Sequence, residues 1–234
     1  MREPLTVAVA QPLTVPYDIG VNAVAHAAVI RSANAQVVVF PEFSLTGYEL
    51  DAAPITADDP RLDPVVQACA DSGSTALVGA PLAGSGGRAY VAVLAVDRGG
   101  VRVAYRKMCL GGDEPHHFTP GDAPAVLEVG GWRLGLAVCK DTGQAGHTRA
   151  TVALGIDAYV AGLVDTADWV TVQEERARRI VTEHRVWVAF ASFAGPTGGP
   201  FSKTAARSRI WDPDGRVVAD AGTEIGAVAR ATLR

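Results

Sequence analysis

Short runs of aliphatic and β-branched residues alternate along the chain with stretches of helical period. The runs Leu5–Ala10, Gln36–Phe40, Thr75–Gly79, Ala89–Val96, Val101–Tyr105, Trp132–Val138, Ala158–Leu163, Val186–Ser192, Ser208–Trp211 and Val217–Ala219 are bounded by turn residues and read as strands. Asp18 is placed to cap a helix whose apolar stripe is Val21, Val24, Ala25, Ala28 and Val29. A second helix carries Leu62, Val65, Val66 and Cys69 at i, i+3, i+4, i+7 and closes at Gly73. A third, from about Asp168 to His184, carries Val172, Ala177, Ile180 and Val181; its charged face of Glu174, Glu175, Arg176, Arg178 and Arg179 reads as solvated. Asp97-Arg98-Gly99-Gly100 and Asp212-Pro213-Asp214-Gly215 each join two strands and read as hairpins, while Gly84–Gly87 reads as a plain flexible loop. Hairpins need antiparallel pairing and the N-terminal βαβ pattern needs parallel pairing. Mixed sheets with covering helices follow, in an α/β chain.

Composition narrows the class. With 234 residues, 48% of them hydrophobic, the chain can bury one sizeable core, and a single domain over residues 1–234 is expected. The net charge of −4, with no basic block, argues against a nucleic-acid partner. Trp132, Trp169, Trp187 and Trp211 are not interleaved with basic residues and read as core or interface anchors. The longest apolar run, Val152 to Val164, is short for a membrane span and is broken by Asp157. The opening Met1-Arg2-Glu3-Pro4 does not read as a leader peptide, so a cytoplasmic protein is expected. Cys69, Cys109 and Cys139 show no CxxC spacing and suggest neither a disulfide framework nor a thiolate metal site. Cys69 lies on an apolar helix face and reads as a small buried hydrophobe.

Chemistry enters where polar residues interrupt apolar runs. Val37–Phe40 ends in Pro41-Glu42, Val101–Tyr105 ends in Arg106-Lys107, and Leu134–Val138 ends in Cys139. The C-terminal ends of buried strands are where α/β sheets assemble sites. Taken singly, such a Glu and Lys read more simply as an ion pair, and such a Cys as structural. Taken together they could perform acyl transfer. Glu42 would accept the thiol proton, Cys139 would attack, and Lys107 would hold the developing oxyanion.

The motifs carry a resemblance. Val39-Phe40-Pro41-Glu42-Phe43-Ser44-Leu45-Thr46-Gly47-Tyr48 resembles the glutamate motif of the nitrilase superfamily of carbon–nitrogen hydrolases. Tyr105-Arg106-Lys107-Met108-Cys109-Leu110 resembles its lysine motif, with Phe118-Thr119-Pro120-Gly121 as the turn that follows. Gly135-Leu136-Ala137-Val138-Cys139-Lys140-Asp141 resembles its cysteine motif, and Ser208–Gly215 its late hairpin. The resemblance implies a four-layer αββα sandwich of mixed sheets, commonly a homodimer paired through helices near the cysteine. It implies Cys139 as nucleophile, Glu42 as general base, Lys107 as stabiliser of the tetrahedral intermediate, and the backbone N–H of Lys140 as second oxyanion donor. No cofactor or metal is implied. Glu114 falls where amidase-type members carry a second, substrate-positioning glutamate; read from the sequence alone it could equally be a solvated loop carboxylate. Tyr48 joins the same positioning set. The branch implied is that of amidases and N-carbamoyl amide hydrolases, with a nitrile-cleaving enzyme as the alternative.

Three departures bear on the substrate: Lys140 replaces a common aromatic residue, Cys109 stands at a common histidine position, and Asp141–His147 lacks the usual sequence after the nucleophile. Lys140 and His147 would together favour a substrate carrying a carboxylate. Three rival arrangements compete. Asp113, Glu114, His116 and His117 could hold a metal, although neither HxxxH nor HExxH spacing is present. A Cys–His mechanism could use His116, His117, His147 or His184. A degenerate sandwich domain could serve binding alone.

Overall fold

The computed structural model describes residues 2–234; Met1, at the head of the segment read against a leader, lies outside them. Strand β1 (Leu5–Ala10) shows how the sheets are buried on both faces. Val7 and Val9 join one apolar cluster while Ala8 and Ala10, pointing the other way, join a second. Alongside it β2 (Val37–Val39) and β3 (Thr75–Ala83) run parallel, then β4 (Ala89–Asp97) and β5 (Gly100–Arg106) antiparallel. At the far edge β12 (Val228–Leu233) pairs antiparallel with β1, so the six-stranded order is β12-β1-β2-β3-β4-β5.

The second sheet repeats the plan. Strands β7 (Trp132–Val138), β8 (Ala158–Gly162) and β9 (Trp187–Ala191) are parallel. They are flanked by antiparallel β6 (Ala125–Val129), β10 (Arg209–Trp211) and β11 (Val217–Asp220), in the order β11-β10-β9-β8-β7-β6. The sheets pack face to face through Val7, Val9, Val39 and Leu77 from one and Leu134, Leu136 and Val160 from the other. Outside the first sheet lie α1 (Ile19–Ala33) and α2 (Asp63–Ser72), whose Ala23, Ala27, Ile30, Val65, Ala68 and Cys69 cover Ala8, Val38 and Val78. Outside the second lie α3 (Ala145–Val152) and α4 (Val170–His184). The result is the four-layer αββα sandwich of mixed sheets. Among the described residues no helix is long and apolar enough to cross a membrane.

The expected strands form with boundary shifts of a few residues, and both hairpins form, Asp97 facing Gly100 and Trp211 facing Val217. Cys69 is fully buried as expected, and Gly73 ends α2 in the left-handed conformation. Elsewhere the pattern misled. In α1 the expected stripe faces outward: Val21 is 50% and Val24 59% exposed, and the buried face is Ile19, Asn22, Ala23, His26, Ala27, Ile30 and Ala33. Polar residues on that face are absorbed locally. Asn22 Nδ2 donates to the carbonyls of Val15 and Leu45, and His26 stacks on Phe40, burial holding its imidazole down at a pKa of about 4. Gly84–Gly87 is a loop, as read, in which Gly86 and Gly87 take the left-handed conformation. Among the tryptophans, Trp132 and Trp211 are core residues, but Trp169 is 46% exposed. The charged face of α4 is solvated only in part: Arg209, itself buried, pairs with Glu174, and Arg179 Nη2 donates to the Thr142 carbonyl.

Candidate active site

The turn that delivers Glu42 is wedged between the two sheets, and glycine makes room on both sides. A Cβ on Gly79, in β3, would lie 2.5 Å from Phe43 N and from Pro41 O. One on Gly162, in β8, would lie 2.7 Å from Phe40 O and 2.8 Å from Glu42 N. Real Cβ atoms do not come so close, so only glycine lets the Pro41–Glu42 peptide sit there. The neighbouring strand ends bring Lys107 after β5 and Cys139 after β7 to the same cavity.

Three ionisable side chains then lock together. Lys107 Nζ donates to Glu42 Oε1 at 2.6 Å and to both carboxylate oxygens of Glu114 at 2.8 Å, with all three residues buried. Glu114 also accepts from Tyr48 Oη at 3.0 Å and from Gly111 N at 2.7 Å, so it is no solvated loop carboxylate. The second oxygen of Glu42, Oε2, is buried and has no hydrogen-bond partner among the described residues. A carboxylate with one oxygen held and one free can accept a proton.

Cys139 stands on a strained corner. Its φ of +39° lies in the left-handed region, which non-glycine residues occupy only when the surroundings enforce it. Asp141 enforces it: its carboxylate accepts from Val138 N at 2.9 Å, Cys109 N at 2.8 Å and Tyr105 Oη at 2.9 Å, fastening the cysteine turn to the lysine loop. The thiol reaches the Val164 carbonyl at 3.2 Å, with Asp165 Oδ1 at 4.0 Å. The cavity measures about 650 Å³ and opens over Glu42, Lys107, Glu114 and Cys139, with Tyr48, Trp169 and Phe201 among its walls.

A profile of the family described as carbon-nitrogen hydrolase matches residues 6–234. The chain belongs to the carbon–nitrogen hydrolase family. It is 28% identical over 207 residues to a Pseudomonas protegens protein described as a hydrolase in the pqqF 5' region, covering 85% of this chain and 72% of that one. It is 26% identical to an (R)-stereoselective amidase of a Pseudomonas species, covering 80% of this chain and 69% of that one. An amidase of Nesterenkonia sp. superposes with a TM-score of 0.84 at 25% identity, over 98% of this chain and 90% of the other.

The electrostatics of this carbon–nitrogen hydrolase follow from burial. Burial, opposed by the Lys107 charge and reinforced by that of Glu114, pushes the Glu42 carboxyl up to about 8. Burial alone would lower the Lys107 ammonium, but the charges of Glu42, Cys139 and Glu114 outweigh it and raise the group, which stays protonated. Burial, then the charges of Asp165 and Glu42, raise the Cys139 thiol well above its ordinary value. At rest the site holds a thiol, and it needs a base to become a nucleophile.

Of the remaining residues singled out from sequence, Lys140 lines the cavity, although its Nζ is tied to the Leu110 carbonyl at 2.6 Å. His147 is a correction. It is 5% exposed behind the site, its ring nitrogens at Tyr105 Oη (2.8 Å) and Tyr159 Oη (3.0 Å), and it does not line the cavity. Its place in the sequence, shortly after the nucleophile, does not reveal that α3 turns it back into the second sheet. Asp113, His116 and His117 are exposed, and Glu114 alone of that loop turns inward. Among the described residues no histidine lines the cavity. Sequence reasoning missed Gln144, Asp165 and Phe201 as wall residues, and it placed Trp169 and Arg176 elsewhere. Asp165 could have been noticed as an acid ending the apolar run Ala158–Val164, by the same strand-end logic that found Glu42.

Proposed function

We propose that this carbon–nitrogen hydrolase cleaves a small amide or N-carbamoyl compound through a covalent intermediate on Cys139. The observation that carries the proposal is the Lys107 ammonium held between Glu42 and Glu114, with Glu42 Oε2 left free, in the cavity that Cys139 lines. Glu42 takes the thiol proton as Sγ attacks the carbonyl carbon. The oxyanion forms near Lys107 Nζ and the backbone N–H of Lys140. That amide belongs to the first turn after β7, where N–H groups lack acceptors within the turn. The proton on Glu42 passes to the leaving nitrogen, which departs as ammonia or amine and leaves a thioester. Water, deprotonated by Glu42, then attacks the thioester and releases the acid and the thiol. Glu114, pinned by Tyr48, orients Lys107 and offers the substrate nitrogen an acceptor. Structures of the Nesterenkonia amidase carry groups derived from acrylamide and fluoroacetamide on its active-site cysteine, which fits an amide at this position.

The pH profile tests the assignment of the base. Glu42 must be ionised in the free enzyme, so kcat/KM is expected to rise with pH through an apparent pKa near 8 that belongs to the coupled cluster. Ammonia release from short amides would be followed from pH 6 to 10, with Glu42→Gln and Cys139→Ala alongside. Both variants are expected to fall by at least about a thousandfold. A Glu42→Gln enzyme with full activity and the same acid limb would reject Glu42 as the base.

A further inference from the structure

Three cations line the cavity, and two are committed: Lys107 to the carboxylates and Lys140 to the Leu110 carbonyl. Arg176 is placed differently. Its side chain is 16% exposed, its Nη1 is buried without a hydrogen-bond acceptor among the described residues, and Trp169 lies 5.5 Å from the guanidinium. Asp165 Oδ2 stands 4.0 Å from Nη1, beyond hydrogen-bond reach, and already accepts from Gln173 Nε2 at 2.8 Å. Gly143, on the turn that begins with Cys139, makes room for the guanidinium. Its φ is not in the left-handed range, yet a Cβ there would lie 3.3 Å from Arg176 Nε and 3.4 Å from Cζ. Any side chain at this position would crowd the arginine.

A guanidinium held in place at a cavity wall with an unused N–H is suited to a planar, bidentate anion. We infer that Arg176 anchors a carboxylate on the acyl chain, making the substrate an acid amide with the scissile amide at one end and a carboxylate at the other. The inference rests on Cys139 being the nucleophile. Asp165 does not occupy the anchor: its nearer oxygen stands 4.0 Å from Nη1 and is taken by Gln173.

Geometry limits the spacer. Sγ of Cys139 is 4.0 Å from one Asp165 oxygen and Nη1 is 4.0 Å from the other, so the thiol and the guanidinium lie within about 10 Å of each other. Sulfur attack takes up about 3 Å of this and an arginine–carboxylate bond about 2.8 Å. About 4 Å is then left from the carbonyl carbon to the carboxylate oxygen, room for one or two carbons between amide and carboxylate.

The test uses succinamate and the neutral, similarly shaped succinamide. Binding to Cys139→Ala, which cannot turn over, is measured by calorimetry. Succinamate is expected to bind about 30-fold more tightly than succinamide. Adding Arg176→Gln should erase that preference, and adding Arg176→Lys should keep part of it. In the enzyme with its cysteine, Arg176→Gln should lower the acid-over-neutral ratio of kcat/KM by a similar factor, mainly through KM. Equal affinity for the two amides, or a preference that survives Arg176→Gln, would overturn the anchor. If neither amide is hydrolysed but the binding preference depends on Arg176, the anchor stands and the proposed reaction falls.

Discussion

Lys107→Met is expected to lose amide hydrolysis by about a thousandfold or more and, unlike most active-site substitutions, to destabilise the fold. The lysine stands between two buried carboxylates, Glu42 at 2.6 Å and Glu114 at 2.8 Å. Removing it leaves Glu42 and Glu114 facing each other with no counter-charge. Breaking a buried ion pair from one side costs about 3–5 kcal/mol, because the surviving charge stays buried and unpaired. One loss is catalytic and the other structural, and they separate cleanly. Glu114→Gln added to Lys107→Met should recover part of the stability, measured by denaturant unfolding, and none of the activity. A Lys107→Met protein as stable as wild type would mean that the carboxylates are already neutral without the lysine. The electrostatic description of the site would then need replacing.

Gly162→Ala is expected to be nearly as damaging, although Gly162 has no side chain and no chemistry. The added Cβ would meet Phe40 O at 2.7 Å, Glu42 N at 2.8 Å and Pro41 C at 2.9 Å, all backbone atoms that cannot rotate away. Overpacking of this kind costs about 1–3 kcal/mol. Here the structure can relax chiefly by pushing the Glu42 turn out of the gap between the sheets. A base displaced by about 1 Å can cost a hundredfold in rate. Gly135→Ala is the comparison, because its Cβ would strike side chains, Thr151 Cγ2 at 2.6 Å and Ile156 Cδ1 at 2.7 Å, on the opposite face of the second sheet. It should lose comparable stability and much less kcat. Equal effects on kcat from the two alanines would show that the wedge does not set the position of Glu42.

The strands were legible because they are buried on both faces and so read as apolar runs, three of which end in Glu42, Lys107 and Cys139 at the site, while their arrangement in four layers came from the resemblance of the motifs. What escaped had weak or inverted signals. In α3 the buried residues are His147, Thr148 and Thr151, so no apolar stripe announces a helix. The edge strands β6 and β12 are only partly buried; Ala125–Val129 is short and interrupted by Glu128, and Val228–Leu233 is interrupted by Arg230 and Thr232. In α1 alanines face the core while Val21 and Val24 face outward, because a close helix–sheet approach favours small residues. Arg176 was hidden by its company. Among Glu174, Glu175, Arg178 and Arg179 it is one more charge, and only the turn of α4 over the cysteine loop separates it from the solvated ones.

The central claim is that the acyl group passes through Cys139. Wild type would be quenched in acid during turnover of a short amide and its intact mass recorded beside Cys139→Ala. The expected result is an adduct equal to the amide less ammonia, mapping to the peptide that contains Cys139, with neither adduct nor turnover in the variant. An adduct on another residue, or turnover that persists in Cys139→Ala, would contradict the mechanism at its first step.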